Sequence, residues 1–228
     1  MEAYPITLNI KSKKAVVIGG GSIAFRKIKR LLSSGACVTV ISPDVCTSVH
    51  ELYTAGKLSW QRKIFEHEDL EEALIVMAAS GDKNVNAAVA AAAKPHQLVN
   101  IVDDPHAGNF HVPASFTRGK LTISIATDGA SPILARKLRD ELDQQFEQDF
   151  AIYMDFLDEV RQKVIHRLEM DKKLKRDILE YAASRECRQS IEKQQSLLFH
   201  LHLLTFTESS PRTNLKEMDI NISDLVNL

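Results

Sequence analysis

Cysteines and long apolar runs are scarce in this 228-residue chain. Its three cysteines, Cys37, Cys46 and Cys187, form no C-x-x-C pair, which argues against a disulfide framework and against a thiolate zinc site. No apolar run reaches the roughly 18 residues that a membrane-spanning helix needs. The start of the chain, residues 1–5, lacks the basic and apolar regions of a signal peptide. We therefore expect a cytoplasmic protein with no membrane partner.

Neither sign of charge is in excess. The chain has 29 lysines and arginines against 30 aspartates and glutamates, a formal net charge of −1. This balance gives no field that would attract nucleic acid or anionic lipid, so we expect neither as a partner. Hydrophobic residues make up 44% of the chain, enough for a sizeable core, which excludes disorder of the whole chain.

Strand and helix patterns alternate through the first half. A β-branched run, Lys14–Ile18, is followed by a glycine turn, a helical pattern and a second run at Val38–Ile41. Further along, the patterns predict strands at Leu58–Ile64, Leu74–Ala79 and Leu98–Val102, and an alanine-rich helix at Lys83–Lys94. Such alternation predicts an α/β fold, a parallel sheet covered by helices on both faces.

The glycine turn fits a dinucleotide-binding pattern, Gly19-x-Gly21-x-x-Ala24. Such a site needs a tight turn at the first position, close backbone approach to a pyrophosphate at the second, and close helix–strand packing at the third. Ser22 and Ile23 would open the helix, whose free N–H groups face the phosphates. A plain tight turn is the alternative. The position between a strand and a helix favours nucleotide binding, with Gly19, Gly21, Ser22 and Ile23 as contacts.

The end of the second strand lacks the usual acidic residue. The segment after Ile41 reads Ser42-Pro43-Asp44, whereas a carboxylate that bonds the ribose normally stands near position 42. Ser42 can donate to a ribose hydroxyl, and Asp44 is either a second ribose contact or a turn residue. No arginine follows this strand to take a 2′-phosphate. We therefore predict NAD, rather than NADP, as the cofactor, held on this side by Ser42, Pro43 and Asp44.

Three segments resemble one enzyme family. They are Val17–Lys27 (VIGGGSIAFRK), Val99–Pro105 (VNIVDDP) followed by Phe110–Ala114 (FHVPA), and Ile125–Arg139 (IATDGASPILARKLR). In this order and spacing they resemble the precorrin-2 dehydrogenases, a module that also forms the N-terminal part of sirohaem synthases. The resemblance covers about residues 4–139 and is loose beyond Glu147.

The resemblance implies NAD-dependent oxidation of precorrin-2 to sirohydrochlorin in sirohaem biosynthesis. It also implies a Rossmann-type parallel sheet over residues 1–113, a small dimerisation segment over 114–150 and a helical C-terminal domain over 151–228, assembled as a homodimer. Some members also insert ferrous iron, so a bifunctional dehydrogenase and chelatase is one alternative. A non-catalytic nucleotide-sensing module is another, but it gives no reason for Asp103 or the third segment.

The resemblance also assigns roles to single residues. Asp103, at the end of a predicted strand, matches the family's active-site acid/base, although Asp103 or Asp104 could merely cap the Asp-Pro turn. Thr127 matches a hydroxyl residue near the substrate, but Asp128 stands where a glycine is more usual. Precorrin-2 carries eight carboxylates, so cations are needed around it; we name His111, Thr127 and Arg136 as substrate contacts, with the following basic residues also near the motifs: Arg118, Lys137 and Arg139.

The last third predicts helices. Apolar residues from Ser131 to about His166 recur at spacings of three and four, typical of one long amphipathic helix or two in succession, and we expect this stripe to contact a partner subunit. Ser131-Pro132 predicts the start of the first helix. A further helical stretch, Ile178–Leu204, precedes a polar tail, Thr205–Asn214. The histidines among the leucines, His166, His200 and His202, are expected to be structural, with no metal bound.

Overall fold

The computed structural model describes residues 4–166, 171–185 and 187–189. The chain divides into two compact units, Met1–Val112 and Pro113–Leu228. No helix among the described residues combines the length and the apolar character needed to cross a membrane. The polar tail, most of the predicted helix Ile178–Leu204, and His200 and His202 lie outside the described residues.

The first unit is built on a five-stranded, all-parallel sheet with the strand order β3-β2-β1-β4-β5. This is the order of a Rossmann sheet, and it confirms the predicted α/β fold class. The strands are β1 (Lys14–Ile18), β2 (Cys37–Ile41), β3 (Ser59–Gln61), β4 (Ile75–Ala78) and β5 (Leu98–Ile101). The helices are α1 (Ser22–Ser33), α2 (Thr47–Thr54) and α3 (Lys83–Ala92), with short 3-10 turns at His67–Leu70 and Pro105–Ala107.

Side chains of β1 alternate between the two faces of the sheet. Val17 belongs to the same buried cluster as Ile28 of α1, and Val16 belongs to a second cluster with Val89 of α3. All four side chains are completely buried, and burying each contributes about 1.5–3 kcal/mol. Because apolar side chains cover both faces, ligands must bind at an edge, and in such sheets they bind at the carboxyl ends of the strands.

The predicted strand at Leu58–Ile64 is too long. Only Ser59–Gln61 forms a strand, because β3 is an edge strand whose pairing with β2 ends where β2 itself ends, at Ile41 opposite Gln61. Arg62 therefore leaves the sheet beside Ser42. The helix α2 had no counterpart among the predicted elements.

The second unit contains a hairpin and three helices. The strands β6 (Ala114–Arg118) and β7 (Leu121–Ile125) pair antiparallel, and α4 (Pro132–Gln145), α5 (Phe150–His166) and α6 (Lys172–Ala182) follow. The apolar stripe after Ser131 thus forms two helices rather than one. The helix α6 begins six residues before the predicted Ile178 because the Asp171 carboxylate accepts the backbone N–H groups of its first turn. The buried cluster that α5 and α6 share includes Cys187, and burial raises the pKa of its thiol to about 11.

Candidate cofactor and active site

Gly19 ends β1 in a conformation that favours glycine, with φ +110°. Its N–H donates to the Ile41 carbonyl at 2.9 Å, which ties the turn to the end of β2. A Cβ at this position would lie 2.5 Å from the Ala79 carbonyl oxygen. The fold itself therefore requires glycine here, because β1 passes directly against the exit of β4.

Gly20 is a second glycine that the fold requires, and the sequence reading did not single it out. Its carbonyl accepts the Cys46 N–H at 2.8 Å, and a Cβ would overlap the Asp44 carbonyl and Val45. The loop after β2 is thus held against the glycine turn. The run of three glycines was the available signal, but the fingerprint assigns no role to its middle member.

Gly21 differs from both neighbours, because nothing in the protein excludes a side chain there. Its φ is −82°, which any residue adopts, and a Cβ would meet no atom within 4 Å. The space is open, and it faces the start of α1, which has no side-chain cap and no acidic residue in its first turn. Ser22 and Ile23 are exposed in that turn, whereas Ala24 is completely buried. The residues present therefore fit a pyrophosphate, bound by free N–H groups at the positive end of the helix.

Ser42 is buried in the loop after β2. Its hydroxyl donates to the Asp44 carbonyl at 2.7 Å, and its own carbonyl accepts the Trp60 indole N–H at 2.9 Å. Because the hydroxyl proton is used within the loop, Ser42 can offer a ribose only its oxygen lone pairs. Pro43 and the Asp44 side chain are exposed at the same point.

An arginine lies at the end of β2, although none follows that strand closely in the sequence. Arg62 donates through Nε to the Pro43 carbonyl at 3.1 Å and pairs with the Asp44 carboxylate at 3.2 Å. It arrives from β3, the neighbouring strand, so a search of the residues that follow β2 misses it. The absence of an arginine from the residues that follow β2 therefore carries no weight against NADP.

Asp103 lies just beyond β5 and is exposed, and one of its carboxylate oxygens accepts a hydrogen bond. Oδ1 accepts the Nδ2–H of Asn86 at 2.7 Å. Asn86 is buried on α3, and its amide also donates to the Ser80 carbonyl and accepts the Ser80 N–H, at 3.1 and 3.0 Å. Ser80 follows Ala79, which contacts Gly19. Asn86 thus joins Asp103 to the glycine turn at one edge of the sheet.

Asp104 has a different task. Its Oδ1 accepts the His106 N–H at 3.0 Å, and the residue caps the 3-10 turn that begins at Pro105. The two adjacent carboxylates therefore have different hydrogen-bond partners. Asp104 stabilises the turn, and Asp103 faces Asn86 of α3.

The chain then folds back along β5. Asn109 bonds that strand through both ends of its amide, accepting the Val99 N–H and donating to the Gln97 carbonyl, each at 2.7 Å. Asn100 donates to the Phe110 carbonyl at 3.0 Å and accepts from Lys27 Nζ at 3.1 Å. The segment Val17–Lys27 is therefore hydrogen-bonded to the segment Val99–Pro105 through Lys27 and Asn100.

Besides Arg62, the sequence analysis also missed Lys27 and Asn86 at this edge of the sheet. Burial lowers the pKa of Lys27 below its ordinary value, and the charges of Arg30 and Arg26 add to that effect. His111, the substrate contact named for this unit, follows the folded-back segment and is exposed.

Thr127 and Arg136 lie in the second unit. The Thr127 hydroxyl oxygen accepts the Ser131 N–H at 3.2 Å, and Ser131 in turn caps α4 as predicted. Asp128 has φ +49°, a left-handed conformation that glycine adopts without strain. This conformation explains why glycine is the more usual residue at this position. Arg136 is exposed on α4. Among the described residues, no three His, Cys, Asp or Glu side chains are grouped as a metal site requires.

Three family models match consecutive parts of the chain. The model described as "Putative NAD(P)-binding" matches residues 6–114, "Sirohaem biosynthesis protein central" matches 118–145, and "SirC C-terminal domain" matches 150–197. The first match contains the glycine turn and Asp103, and the second contains Thr127 and Arg136.

Curated relatives match over most of the chain. A precorrin-2 dehydrogenase of Priestia megaterium is 36% identical over 195 residues, covering 86% of this chain and 96% of the relative. One of Bacillus subtilis (strain 168) is 36% identical over 159 residues, covering 70% and 98%. A siroheme synthase of Methylococcus capsulatus is 36% identical over 165 residues, covering 72% of this chain and 35% of the relative. A solved structure, "SirC, precorrin-2 dehydrogenase", aligns with a TM-score of 0.75 and 34% identity, covering 91% and 100% of the two chains.

Proposed function

Because the chain belongs to the precorrin-2 dehydrogenase family, we propose that it oxidises precorrin-2 to sirohydrochlorin with NAD, in sirohaem biosynthesis. The observation that carries this proposal is the arrangement at one sheet edge. An open pyrophosphate cradle at Gly21 lies on the same edge as Asp103, and Asn86 bonds Asp103 to the loop that contacts Gly19. A nucleotide sensor would need the cradle but not the carboxylate.

The cofactor is held, on this proposal, by two groups of residues. Gly19, Gly21, Ser22 and Ile23 take the pyrophosphate, and Ser42, Pro43 and Asp44 take the adenosine ribose. When bound, NAD supplies the acceptor for one hydride of the substrate. The residues of the chain itself accept the proton and bind the substrate.

Asp103 accepts the proton that leaves with each hydride. Dehydrogenation removes two hydrogens as a hydride and a proton, so a base must lie within hydrogen-bond reach of the second. Asn86 holds Oδ1 through a neutral amide, and within the described part of the chain Oδ2 has no hydrogen-bond partner. Oδ2 is therefore the oxygen that takes the proton. Proton transfer of this kind contributes about a hundred- to ten-thousand-fold in rate.

The substrate's carboxylates are bound by His111, Thr127 and Arg136. Arg136 is exposed on α4 and has no ion pair among the described residues. Arg118 is not a substrate contact on this proposal, because its guanidinium pairs with Asp143 at 2.7 Å and donates to the Phe146 carbonyl. Its task is to join the hairpin to the end of α4.

A second copy of the chain covers α4 in our proposal. Three of its apolar side chains are exposed: Ile133 by 62%, Leu134 by 48% and Leu138 by 37%. Exposed apolar side chains grouped on one helix are typical of a contact surface. A homodimer formed through this segment would bury them. We place the enzyme in the cytoplasm, in keeping with three cysteines that are all free thiols.

NAD should be preferred to NADP by only a modest factor. The Asp44 carboxylate opposes a 2′-phosphate, but it is exposed, and one such repulsion across water costs about 1 kcal/mol, roughly a fivefold difference in affinity. Steady-state kinetics with precorrin-2 and each cofactor measure the ratio of kcat/KM directly. Equal or better use of NADP would contradict the proposed preference.

Asn86→Ala should lower turnover at least about tenfold, because Asp103 loses the donor that orients it. The variant should also lose about 1–3 kcal/mol of stability, since Ser80 loses a buried partner. Asn84→Ala is the matched control, as Asn84 is exposed on the same helix and should leave both properties unchanged. A folded Asn86→Ala enzyme with full turnover would show that the Asn86–Asp103 bond has no part in the reaction.

A further inference from the structure

Arg62 and Asp44 form a pair at the point where two strands leave the sheet together. Ile41 pairs with Gln61 in the register of β2 and β3, so residues 42 and 62 exit side by side at the carboxyl edge. In Rossmann sheets this edge of the second strand faces the ribose 2′-position of the cofactor. A carboxylate there bonds the 2′-hydroxyl of NAD, whereas an arginine accommodates the 2′-phosphate of NADP. This chain has one of each.

The Arg62 guanidinium is positioned before any ligand arrives. Nε donates to the Pro43 carbonyl, one terminal nitrogen contacts Asp44, and the group lies 6.0 Å from the centroid of the Trp60 ring. Trp60 is itself fixed by its bond to the Ser42 carbonyl. Such preorganisation matters because a free arginine side chain would lose rotamer entropy on binding an anion.

The pair is also weak enough to be opened. Its side chains are 73% and 84% exposed, and exposed ion pairs contribute about 0–1 kcal/mol. An arginine has five N–H donors, and the described contacts use two of them. A phosphate can therefore bind the remaining donors while Nε keeps its bond to Pro43.

We propose that Arg62 is the residue that binds a cofactor 2′-phosphate, and that Asp44, by holding and neutralising it, sets how strongly the enzyme discriminates against NADP. This inference rests on the cofactor site of the proposed function. It implies a selectivity that one substitution can shift in either direction. Removing the carboxylate favours NADP, and removing the guanidinium disfavours it.

The neighbouring cation, Lys63, serves as the matched control. Its ammonium group donates to the carboxylates of Glu66 and of Asp69, the latter at 2.9 Å, and these hydrogen bonds raise the pKa of Lys63. The Lys63 charge is therefore already paired with two carboxylates, and both belong to residues that follow Lys63 in the sequence. A general effect of positive charge near β3 would appear in Lys63→Ala as well as in Arg62→Ala.

The test is direct binding of NAD⁺ and NADP⁺ to the full chain, followed by quenching of Trp60, the only tryptophan, or by calorimetry. Arg62→Ala should weaken NADP⁺ binding about tenfold or more and leave the Kd for NAD⁺ within about twofold. Asp44→Asn should strengthen NADP⁺ binding several-fold. Lys63→Ala should change neither Kd. Arg62→Gln, which keeps a donor near Pro43 without the charge, should behave as Arg62→Ala does.

Three results would overturn the proposal. They are an equal loss of both cofactors in Arg62→Ala, an equal loss of NADP⁺ in Lys63→Ala, and no gain in Asp44→Asn. Binding is measured without precorrin-2, so absence of dehydrogenase activity would refute the proposed function and leave this inference standing. If neither dinucleotide bound the parent chain, both the cofactor site and this inference would be wrong.

Discussion

Gly21→Asp will abolish NAD binding in a chain that still folds. The position has ordinary φ and an open surrounding, so the protein can accept a side chain there. A carboxylate would fill the space that the pyrophosphate needs and would repel its charge at the start of α1. We expect the affinity for NAD to fall more than about a hundredfold, equivalent to roughly 2.8 kcal/mol. Calorimetry gives the affinity, and circular dichroism and thermal unfolding show whether the fold survives.

Gly19→Ala is the control that separates the two reasons for glycine in this turn. A Cβ at Gly19 would meet the backbone of Ala79, and the residue has a positive φ, so this variant should lose stability before it loses affinity. If Gly21→Asp unfolds as Gly19→Ala does, glycine at position 21 serves the fold. If Gly21→Asp binds NAD normally, the cradle is not the cofactor site.

Local patterns predicted the parts of the site that depend on neighbouring residues. The glycine turn, the strand before it and the helix after it all lie within residues 14–33. The cap at Ser131 and the start of α4 do so as well. Each of these features is set by turn geometry or by free N–H groups within one segment, so the sequence carries the information locally.

The parts that were missed depend on distant residues. Asn86 meets Asp103 across 17 positions, and Arg62 meets Asp44 across 18. Neither contact leaves a periodic signal, because the first exists only once α3 packs beside the end of β5, and the second only once β2 and β3 are paired. The hairpin of β6 and β7 was missed for another reason. Leu121–Ile125 alternates apolar and polar residues, and half-buried and exposed positions, as a strand does, so its signal was present in the sequence and was not used. Ala114–Arg118 lacks this alternation, which hid the pairing of the two strands.

Asp103→Ala should lower turnover by at least about a hundredfold, while NAD affinity stays unchanged. The side chain is exposed and bonds only Asn86 among the described residues, so its loss should cost little stability. Circular dichroism should therefore match the parent, and sedimentation should show the same oligomeric state. Turnover within a few-fold of the parent would mean that Asp103 is not the base.

Asp104→Ala is the matched carboxylate control for this experiment. Asp104 caps the turn before Pro105, so its loss should cost about 0.5–2 kcal/mol of stability and leave turnover nearly unchanged. A loss of turnover in Asp104→Ala equal to that in Asp103→Ala would indicate that the turn, rather than a particular carboxylate, matters. The proton would then leave to water or to His111.

In the reaction that we propose, this chain removes a hydride and a proton from precorrin-2 and passes the hydride to NAD. Purified protein incubated with NAD and enzymatically made precorrin-2 tests it most directly, by following the absorbance of NADH and of the macrocycle in the same sample. We expect sirohydrochlorin and NADH to appear together in equal amounts, and Gly21→Asp to produce neither. Precorrin-2 that persists alongside active cofactor binding, with no NADH formed, would contradict it.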